Sequence, residues 1–127
     1  MTKKTFEKIM AKAMAMQSIE RSEYWSGFQR GVRRLYHGEN FGTPAEHEQW
    51  LNCDTGDGIR AELQLGYRTG FYYDRLDPEK PGEFRDMLGL TNKALADMIW
   101  EKPRTVENWM TGRLSKRGKI LLKNLIP

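Results

Sequence analysis

The chain has 127 residues, 39% of them apolar, and a formal net charge of +4, which suits one ordinary domain or two small ones. A single cysteine excludes an intrachain disulfide and fits a reducing cytoplasm. No stretch approaches the roughly 20 apolar residues of a membrane-spanning helix, and the basic N-terminus leads into an amphipathic pattern instead of an apolar signal sequence. We therefore expect a cytoplasmic protein that does not bind membranes.

The first eighty residues have the period of amphipathic helices. Apolar side chains recur every three or four positions from Phe6 to Met14 and again from Tyr24 to Tyr36. The second of these helices is predicted to carry three arginines on its solvent side: Arg30, Arg33 and Arg34. Because strand signals are nearly absent from the whole chain, we predict an all-α protein.

Two further helices are expected in this part of the chain. Residues 43–46, Thr-Pro-Ala-Glu, form a capping box with proline at the first helical position, which predicts a short helix through Leu51. Residues 53–58, Cys-Asp-Thr-Gly-Asp-Gly, have the composition of a turn. A longer helix is then expected from Ile59 to Tyr73.

Two of these helices share a pattern of glycines. Residues 27–31, Gly-Phe-Gln-Arg-Gly, and residues 66–70, Gly-Tyr-Arg-Thr-Gly, both place glycines four positions apart, on one helix face. Each glycine costs about 1 kcal/mol of helix propensity relative to alanine, and a close approach of two helix backbones is the simplest reason for it. We expect the two patterns to face each other, within one chain or across a dimer; the alternative is a chance recurrence.

No catalytic, cofactor or metal site is predicted, and we do not expect an enzyme. The best candidate ligands for a divalent metal are His37, Glu39, Glu46, His47 and Glu48. Their spacing matches no metal motif, because a zincin helix needs a second histidine four residues after the first. Asp54 and Asp57 lack the third ligand and the terminal glutamate of a calcium loop. Gly56 and Gly58 do not follow a predicted strand, as a phosphate-binding loop would.

A junction between two modules is predicted over residues 77–82, Asp-Pro-Glu-Lys-Pro-Gly, because two prolines and a glycine resist helix continuation. We expect an N-terminal helical module over residues 1–78, with a role in dimerisation or partner binding. Exposed aromatic and glycine faces of the helices in residues 1–79 are the expected source of a dimer interface. A compact helix-turn-helix domain is expected over residues 79–127.

Residues 89–112 have the apolar spacing of two short helices joined by a tight turn. The seam between these helices is predicted to contain Leu90, Leu95, Ile99, Val106 and Trp109. Thr91 is expected to cap the first helix, and Pro103 suits the first position of the second. Gly112 falls where a left-handed residue commonly ends a helix. A two-helix hairpin without a DNA-binding role is the alternative.

Over residues 81–127 the chain resembles the Cro/repressor-like helix-turn-helix family of phage and bacterial regulators. Residues 89–92, Gly-Leu-Thr-Asn, are similar to the family's G-L-S/T-Q/N, and residues 94–96, Ala-Leu-Ala, to its E-L-A. Residues 105–112, Thr-Val-Glu-Asn-Trp-Met-Thr-Gly, are similar to its T-V-x-x-W-E-x-G. The resemblance implies a domain that binds double-stranded DNA through the second helix of the motif.

Two departures from the family pattern carry structural expectations. Trp100 stands where the family usually has the glycine of the turn, so the turn backbone is expected to be strained or differently shaped. The helix before the motif is expected to be about one turn shorter than usual, because Pro78, Pro81 and Gly82 interrupt its start.

Charge is distributed unevenly along the chain. Residues 80–127 contain ten Lys and Arg against five Asp and Glu, whereas residues 1–79 contain eleven against twelve. Five basic residues follow the motif with no acid among them: Arg113, Lys116, Arg117, Lys119 and Lys123. Basic groups beside a recognition helix neutralise phosphates and supply affinity without reading sequence. The alternative is an ordinary solvated helix face.

By position in the resembled motif, four residues are expected to read bases: Arg104, Thr105, Glu107 and Asn108. Arg104 can form two hydrogen bonds with guanine, and Asn108 two with adenine. Thr105 can contact a thymine methyl group, and Glu107 can orient Arg104 or accept from cytosine. Phosphate contacts are expected from Asn92, Lys93, Lys102, Arg113, Lys116 and Arg117.

The sequence therefore favours a transcriptional repressor that binds a palindromic operator as a homodimer and controls its own or a neighbouring operon. Residues 36–43, Tyr-His-Gly-Glu-Asn-Phe-Gly-Thr, and the surrounding N-terminal stretch are similar to small proteins of bacterial mobile elements, which implies a prophage or plasmid setting. The leading alternative is an interaction or inhibitor protein of the anti-defence type whose residues 1–78 bind a host protein. An antitoxin is a third hypothesis.

Overall fold

The computed structural model describes residues 1–52 and 58–127, and within them every regular element is a helix, which confirms the all-α class. The chain divides into two compact units, Met1–Asp74 (unit 1) and Arg75–Pro127 (unit 2); the sequence had suggested a boundary after residue 78. In the described residues, no helix combines the length and apolar character that crossing a membrane requires. The predicted turn from Cys53, with the carboxylates of Asp54 and Asp57, lies outside the described residues.

The described residues of unit 1 form four α-helices. They are α1 (Lys3–Gln17), α2 (Ser22–His37), α3 (Pro44–Leu51) and α4 (Gly58–Phe71), with 3-10 turns at Gly38–Asn40 and, across the unit boundary, at Tyr73–Arg75. The helix predicted from residues 43–46 is confirmed, because Oγ1 of Thr43 accepts a hydrogen bond from the Glu46 N–H at 3.1 Å and Pro44 is the first helical residue. α4 ends at Phe71, two residues earlier than expected.

The glycines of α2 and α4 face each other within one chain. A methyl group built on Gly27 would overlap the carbonyl oxygen of Leu63, and one built on Gly31 would overlap that of Tyr67. Reciprocally, Gly66 lies against the carbonyl of Tyr24, and Gly70 against that of Phe28. Because the contacts advance together along both helices, α2 and α4 run parallel. Their backbones approach more closely than any side chain would allow, so glycine is required at the crossing.

The buried faces of α2 and α4 correct one expectation about dimerisation. The sequence suggested that the glycine and aromatic faces of residues 1–79 are exposed and supply a dimer interface. Tyr24 and Phe28 are fully buried instead, Trp25 and Tyr67 are nearly so, and the glycine faces are occupied by each other. These faces belong to the core of a single chain, because the glycines of each helix contact the backbone of the other.

The arginines of α2 also depart from the expected solvent face. Arg34 is only 8% exposed, and its Nη1 donates a hydrogen bond to the carbonyl oxygen of Phe41 at 2.7 Å. The guanidinium of Arg30 lies over the ring of Trp50, 5.3 Å from its centroid. The prediction for Arg34 was wrong because the segment after α2 folds back and covers its guanidinium, which helix periodicity does not reveal.

Unit 2 is built from four short helices. They are α5 (Pro81–Met87), α6 (Asn92–Met98), α7 (Pro103–Met110) and α8 (Lys116–Lys123). The predicted starts are confirmed: Oγ1 of Thr91 accepts from the Ala94 N–H at 3.1 Å, and Pro103 is the first residue of α7. α5 has only seven residues. Buried apolar residues of this unit include Phe84, Leu88, Leu95, Ala96, Ile99, Val106, Trp109, Leu122 and Leu125.

Three helices of unit 2 end in the same backbone motif. In each, the residue after the C-cap has positive φ, and the next N–H bonds to the carbonyl oxygen five residues before it, which defines a Schellman cap. The residues with positive φ are Gly89 at 67°, Trp100 at 57° and Gly112 at 90°. The bonds from residues 90, 101 and 113 measure 3.2, 2.9 and 3.2 Å. Trp100 thus keeps the left-handed conformation that glycine favours, so the strained alternative is the one observed.

Candidate nucleic-acid interface

Packing between α6 and α7 determines which side of α7 faces outward. Val106 is fully buried and Trp109 is 3% exposed, and both lie on the side of α7 that packs against α6. Leu95 of α6 and Ile99, the residue that follows α6, are buried as well. Four of the five residues predicted for the seam are therefore buried. Leu90 is only half-buried, because it lies outside both helices, in the cap that ends α5.

The predicted base-reading residues occupy the opposite side of α7. Arg104, Glu107 and Asn108 are exposed, and Thr105 is half-buried. Positions separated by three and four residues are neighbours on a helix surface, so Arg104 adjoins both Glu107 and Asn108. This outward face combines an arginine fork, an amide and a carboxylate within about one helical turn.

Glu107 does not form an ion pair with Arg104 in the described part of the chain. The proposed orienting role of Glu107 therefore finds no support in the protein alone. Asn108 uses its backbone carbonyl to accept from the Thr111 hydroxyl at 2.9 Å, while its amide side chain remains on the exposed face. The polar ends of Arg104, Glu107 and Asn108 are thus available to a ligand.

The residues expected at phosphates are divided between exposed and internally bonded positions. Lys93, Lys102, Arg113 and Lys116 are exposed, and none of these four forms an ion pair within residues 1–52 and 58–127. Asn92 differs, because its Oδ1 accepts a hydrogen bond from Nη1 of Arg85 at 2.8 Å. Its amide N–H groups, which are the donors that a phosphate contact would use, are not engaged by this bond.

Arg117 also has an internal partner that the sequence did not suggest. Its Nη1 lies 3.1 Å from Oε2 of Glu101, whose side chain is only 12% exposed, whereas the Arg117 side chain is 72% exposed. This pair connects the start of α8 to the turn between α6 and α7. A phosphate contact from Arg117 would have to share the guanidinium with Glu101.

α8 adds a basic surface beside an apolar residue. Lys116, Lys119, Ile120 and Lys123 line an open groove of about 440 Å³ together with Pro78 and Glu79. Nζ of Lys119 forms an ion pair with Glu79 at 3.2 Å, and Ile120 is 59% exposed. The spacing of these lysines by three and four residues places them on one side of the helix, so the basic run after the motif has a common face.

His47, one of the residues considered as metal ligands, contacts two aromatic side chains. Nδ1 of His47 is 2.6 Å from the hydroxyl of Tyr67, and the His47 ring packs edge-on against Phe71. Burial, and then the charge of Arg34, lower the pKa of His47, while burial raises the pKa of Tyr67 to about 12. Both shifts favour the neutral forms of the imidazole and the phenol, and two neutral rings can share one hydrogen bond. Within the described residues, no three His, Cys, Asp or Glu side chains converge as metal ligands.

Comparisons with known proteins do not add a relative to this description. The chain matches no family model, no curated protein and no solved structure. The resemblance to Cro/repressor-like regulators therefore stays a prediction from the motif residues.

Proposed function

We propose that unit 2 is a sequence-specific DNA-binding domain and that the protein is a transcriptional repressor. The observation that carries this proposal is the two-sided character of α7. Val106 and Trp109 anchor one side in the core, while Arg104 and Asn108 project from the other. A short helix held in this way can lie in a major groove with its N-terminal residues against base edges.

The exposed side chains of α7 offer the chemistry that base recognition requires. The guanidinium of Arg104 can donate two hydrogen bonds to O6 and N7 of guanine, and the amide of Asn108 can pair with N6 and N7 of adenine. Glu107, which has no ion pair with Arg104 in the described residues, can accept from the amino group of cytosine. Thr105 can place its methyl group against that of thymine.

Exposed cations around α7 supply the affinity for the sugar–phosphate backbone. Unit 2 contains eleven Lys and Arg against seven Asp and Glu. Lys93 and Lys102 precede α7, and Arg113 and Lys116 follow it, so cations flank the reading helix in sequence on both sides. Neutralising phosphates releases counterions and makes binding depend on salt.

The proposal includes a homodimer on a palindromic operator. One helix of eight residues can read only a few base pairs, and two half-sites about one helical turn apart multiply that specificity. The dimer interface must lie outside the glycine faces of α2 and α4, since these contact each other. Occlusion of a promoter in the protein's own or a neighbouring operon is the simplest mode of repression.

Selection from random-sequence DNA tests this function directly. The purified full-length protein is mixed with a pool of random duplexes and, separately, with the duplex upstream of its own coding sequence. We expect enrichment of a palindromic sequence, and a gel shift of that duplex at concentrations that leave a shuffled duplex free. Equal retention of enriched and shuffled duplexes would contradict sequence-specific recognition. Light scattering of the complex gives the number of chains per duplex.

A second candidate function is protein binding by unit 1. It is favoured by large apolar side chains that are exposed there, among them Met14, Ile19 and Ile59, at 58%, 74% and 64%. Apolar side chains of this size are frequent anchors at protein interfaces. The same DNA selection separates the two functions, because a protein-binding inhibitor with an unused helix-turn-helix would enrich no sequence.

A further inference from the structure

Trp100 occupies a backbone position for which unit 2 otherwise uses glycine. Of the three Schellman caps in this unit, two have Gly89 and Gly112 at the left-handed position, and the third has Trp100 at φ 57°. A side chain in this conformation crowds its own carbonyl oxygen, so each residue other than glycine is disfavoured there. Tryptophan at this position therefore lowers the free energy of unfolding relative to glycine.

No internal contact explains the tryptophan. It is 93% exposed, and it has no hydrogen bond or ring contact within the described ranges 1–52 and 58–127. Among the described residues, the other one with positive φ that is not glycine is Arg21, and it is different: its guanidinium pairs with Glu62 at 3.0 Å and lies over the ring of Tyr24. Strain that nothing within the fold compensates is characteristic of functional positions.

Within four residues of Trp100 in the sequence there are two exposed cations and one exposed carboxylate, Asp97. The adjacent carboxylate, Glu101, is mostly buried, and its Oε2 lies 3.1 Å from Nη1 of Arg117. Lys102 and Arg104, two and four residues after Trp100, are both exposed. An exposed indole beside unpaired cations suits an anionic partner that also offers apolar surface.

We propose that Trp100 packs against the sugar–phosphate backbone that borders the groove read by α7. This inference rests on the proposed DNA-binding function and assigns a contact residue to it. An indole presents a large apolar face and one N–H donor, while a DNA strand presents deoxyribose rings and phosphate oxygens that accept hydrogen bonds. Trp100 immediately precedes the turn residues that lead into α7, so it adjoins the end of the helix that enters the groove.

The chemistry of tryptophan predicts a distinct effect on binding. Because the indole carries no charge, a variant without it should release as many counterions on binding DNA as the wild type does. The salt dependence of binding should therefore be unchanged. Because it contacts backbone and not base edges, its removal leaves the sequence preference unchanged. The expected result is weaker binding to every duplex by a similar factor, unlike the loss of a base-reading arginine or a phosphate-binding lysine.

Two substitutions separate the side chain from the strained backbone. Trp100→Ala keeps the left-handed backbone and removes the indole, whereas Trp100→Gly removes both the indole and the strain. We expect both variants to bind the selected duplex and a shuffled duplex about tenfold more weakly, the size of a typical aromatic interface contact. Trp100→Gly should nevertheless melt a few degrees higher than the wild type, because glycine is unstrained at positive φ. Weaker binding by a more stable variant excludes misfolding as the cause.

Tryptophan fluorescence gives an independent readout. Trp100 is the only exposed tryptophan of the four in the chain, since Trp25 and Trp109 are buried and Trp50 is half-buried. Binding of either duplex should protect the wild type from acrylamide quenching, and Trp100→Phe should abolish most of this protection. Unchanged affinity of Trp100→Ala, or unchanged quenching on saturation with DNA, would overturn this inference alone. Absence of duplex binding by the wild type would overturn the proposed function as well.

Discussion

The two units differ in how they use polar side chains. In unit 1 many of them are bonded internally: Arg34 donates to the backbone of Phe41, and Arg21 pairs with Glu62. In unit 2 the corresponding groups on α7 face outward, as Arg104 and Asn108 do. Unit 1 contains ten Lys and Arg against ten Asp and Glu, whereas unit 2 contains eleven against seven.

The comparison extends to the backbone. Four glycines in unit 1 allow the parallel crossing of α2 and α4, where any side chain would overlap a carbonyl oxygen. In unit 2, Gly89 and Gly112 end helices, and the one Schellman cap without glycine carries an exposed tryptophan. Local departures from the preferred residue in unit 1 are explained by its own core. In unit 2 no contact within the core explains the tryptophan at position 100, which favours an external partner.

The largest effect is expected where the two long helices cross. Gly66→Ala should destabilise unit 1 by about 3 kcal/mol or more, because the new methyl group can be accommodated only by separating the backbones of α2 and α4. Urea denaturation followed by circular dichroism measures this loss. Gly58→Ala in the same helix is the matched control, since nothing lies within 4 Å of its added Cβ. Equal stability of the two variants would contradict the glycine-dependent crossing.

The second effect concerns base reading in unit 2. Arg104→Ala should weaken binding to the selected duplex by about 1–3 kcal/mol and relax the preference at one base position. Arg104→Lys is the control, because it keeps the charge but loses the two-pronged donor geometry. It should keep the salt dependence and lose the base preference, as measured by competition among single-base variants of the duplex. A loss that is the same for every duplex would instead place Arg104 against phosphate.

A smaller effect should distinguish phosphate contact from base reading. Lys116→Ala should weaken specific and non-specific duplexes alike and lower the slope of log K against log salt by about one. Lys4→Ala provides the comparison, since Lys4 is an exposed lysine at the start of α1 in unit 1. It should leave the slope unchanged in titrations at several salt concentrations. Identical slopes for both variants would remove Lys116 from the DNA contact.

The smallest effect is a pH dependence confined to unit 1. Burial lowers the pKa of His47 below its ordinary value of 6.5, so the unfolded chain takes up this proton at a higher pH than the folded chain does. Stability should therefore fall as the pH drops below about 6.5 and level off below the pKa of the folded state. Urea denaturation at several pH values should show a flatter dependence in His47→Gln. His37→Gln, which keeps the hydrogen bond between Tyr67 and His47, should retain the dependence.

Local sequence signals determined the helices and their starts. Thr43, Thr91 and Pro103 act within one helical turn of themselves, so their roles were predictable without the rest of the chain. The outward position of Arg104 and Asn108 followed from the apolar period of α7 for the same reason. Glycine at four-residue spacing also predicted a close helix crossing.

Tertiary structure decided what depends on residues distant in sequence. It placed the glycine crossing within one chain, covered Arg34 with the segment after α2, and paired Glu101 with Arg117 of the next helix but one. At Trp100 both the sequence and the tertiary structure contribute. The sequence identified it as a replacement for glycine, but only the folded chain shows that its backbone stays left-handed and its indole remains exposed. Helix periodicity reports which side of a helix is apolar, whereas the partner of each polar group depends on chain segments that meet only after folding.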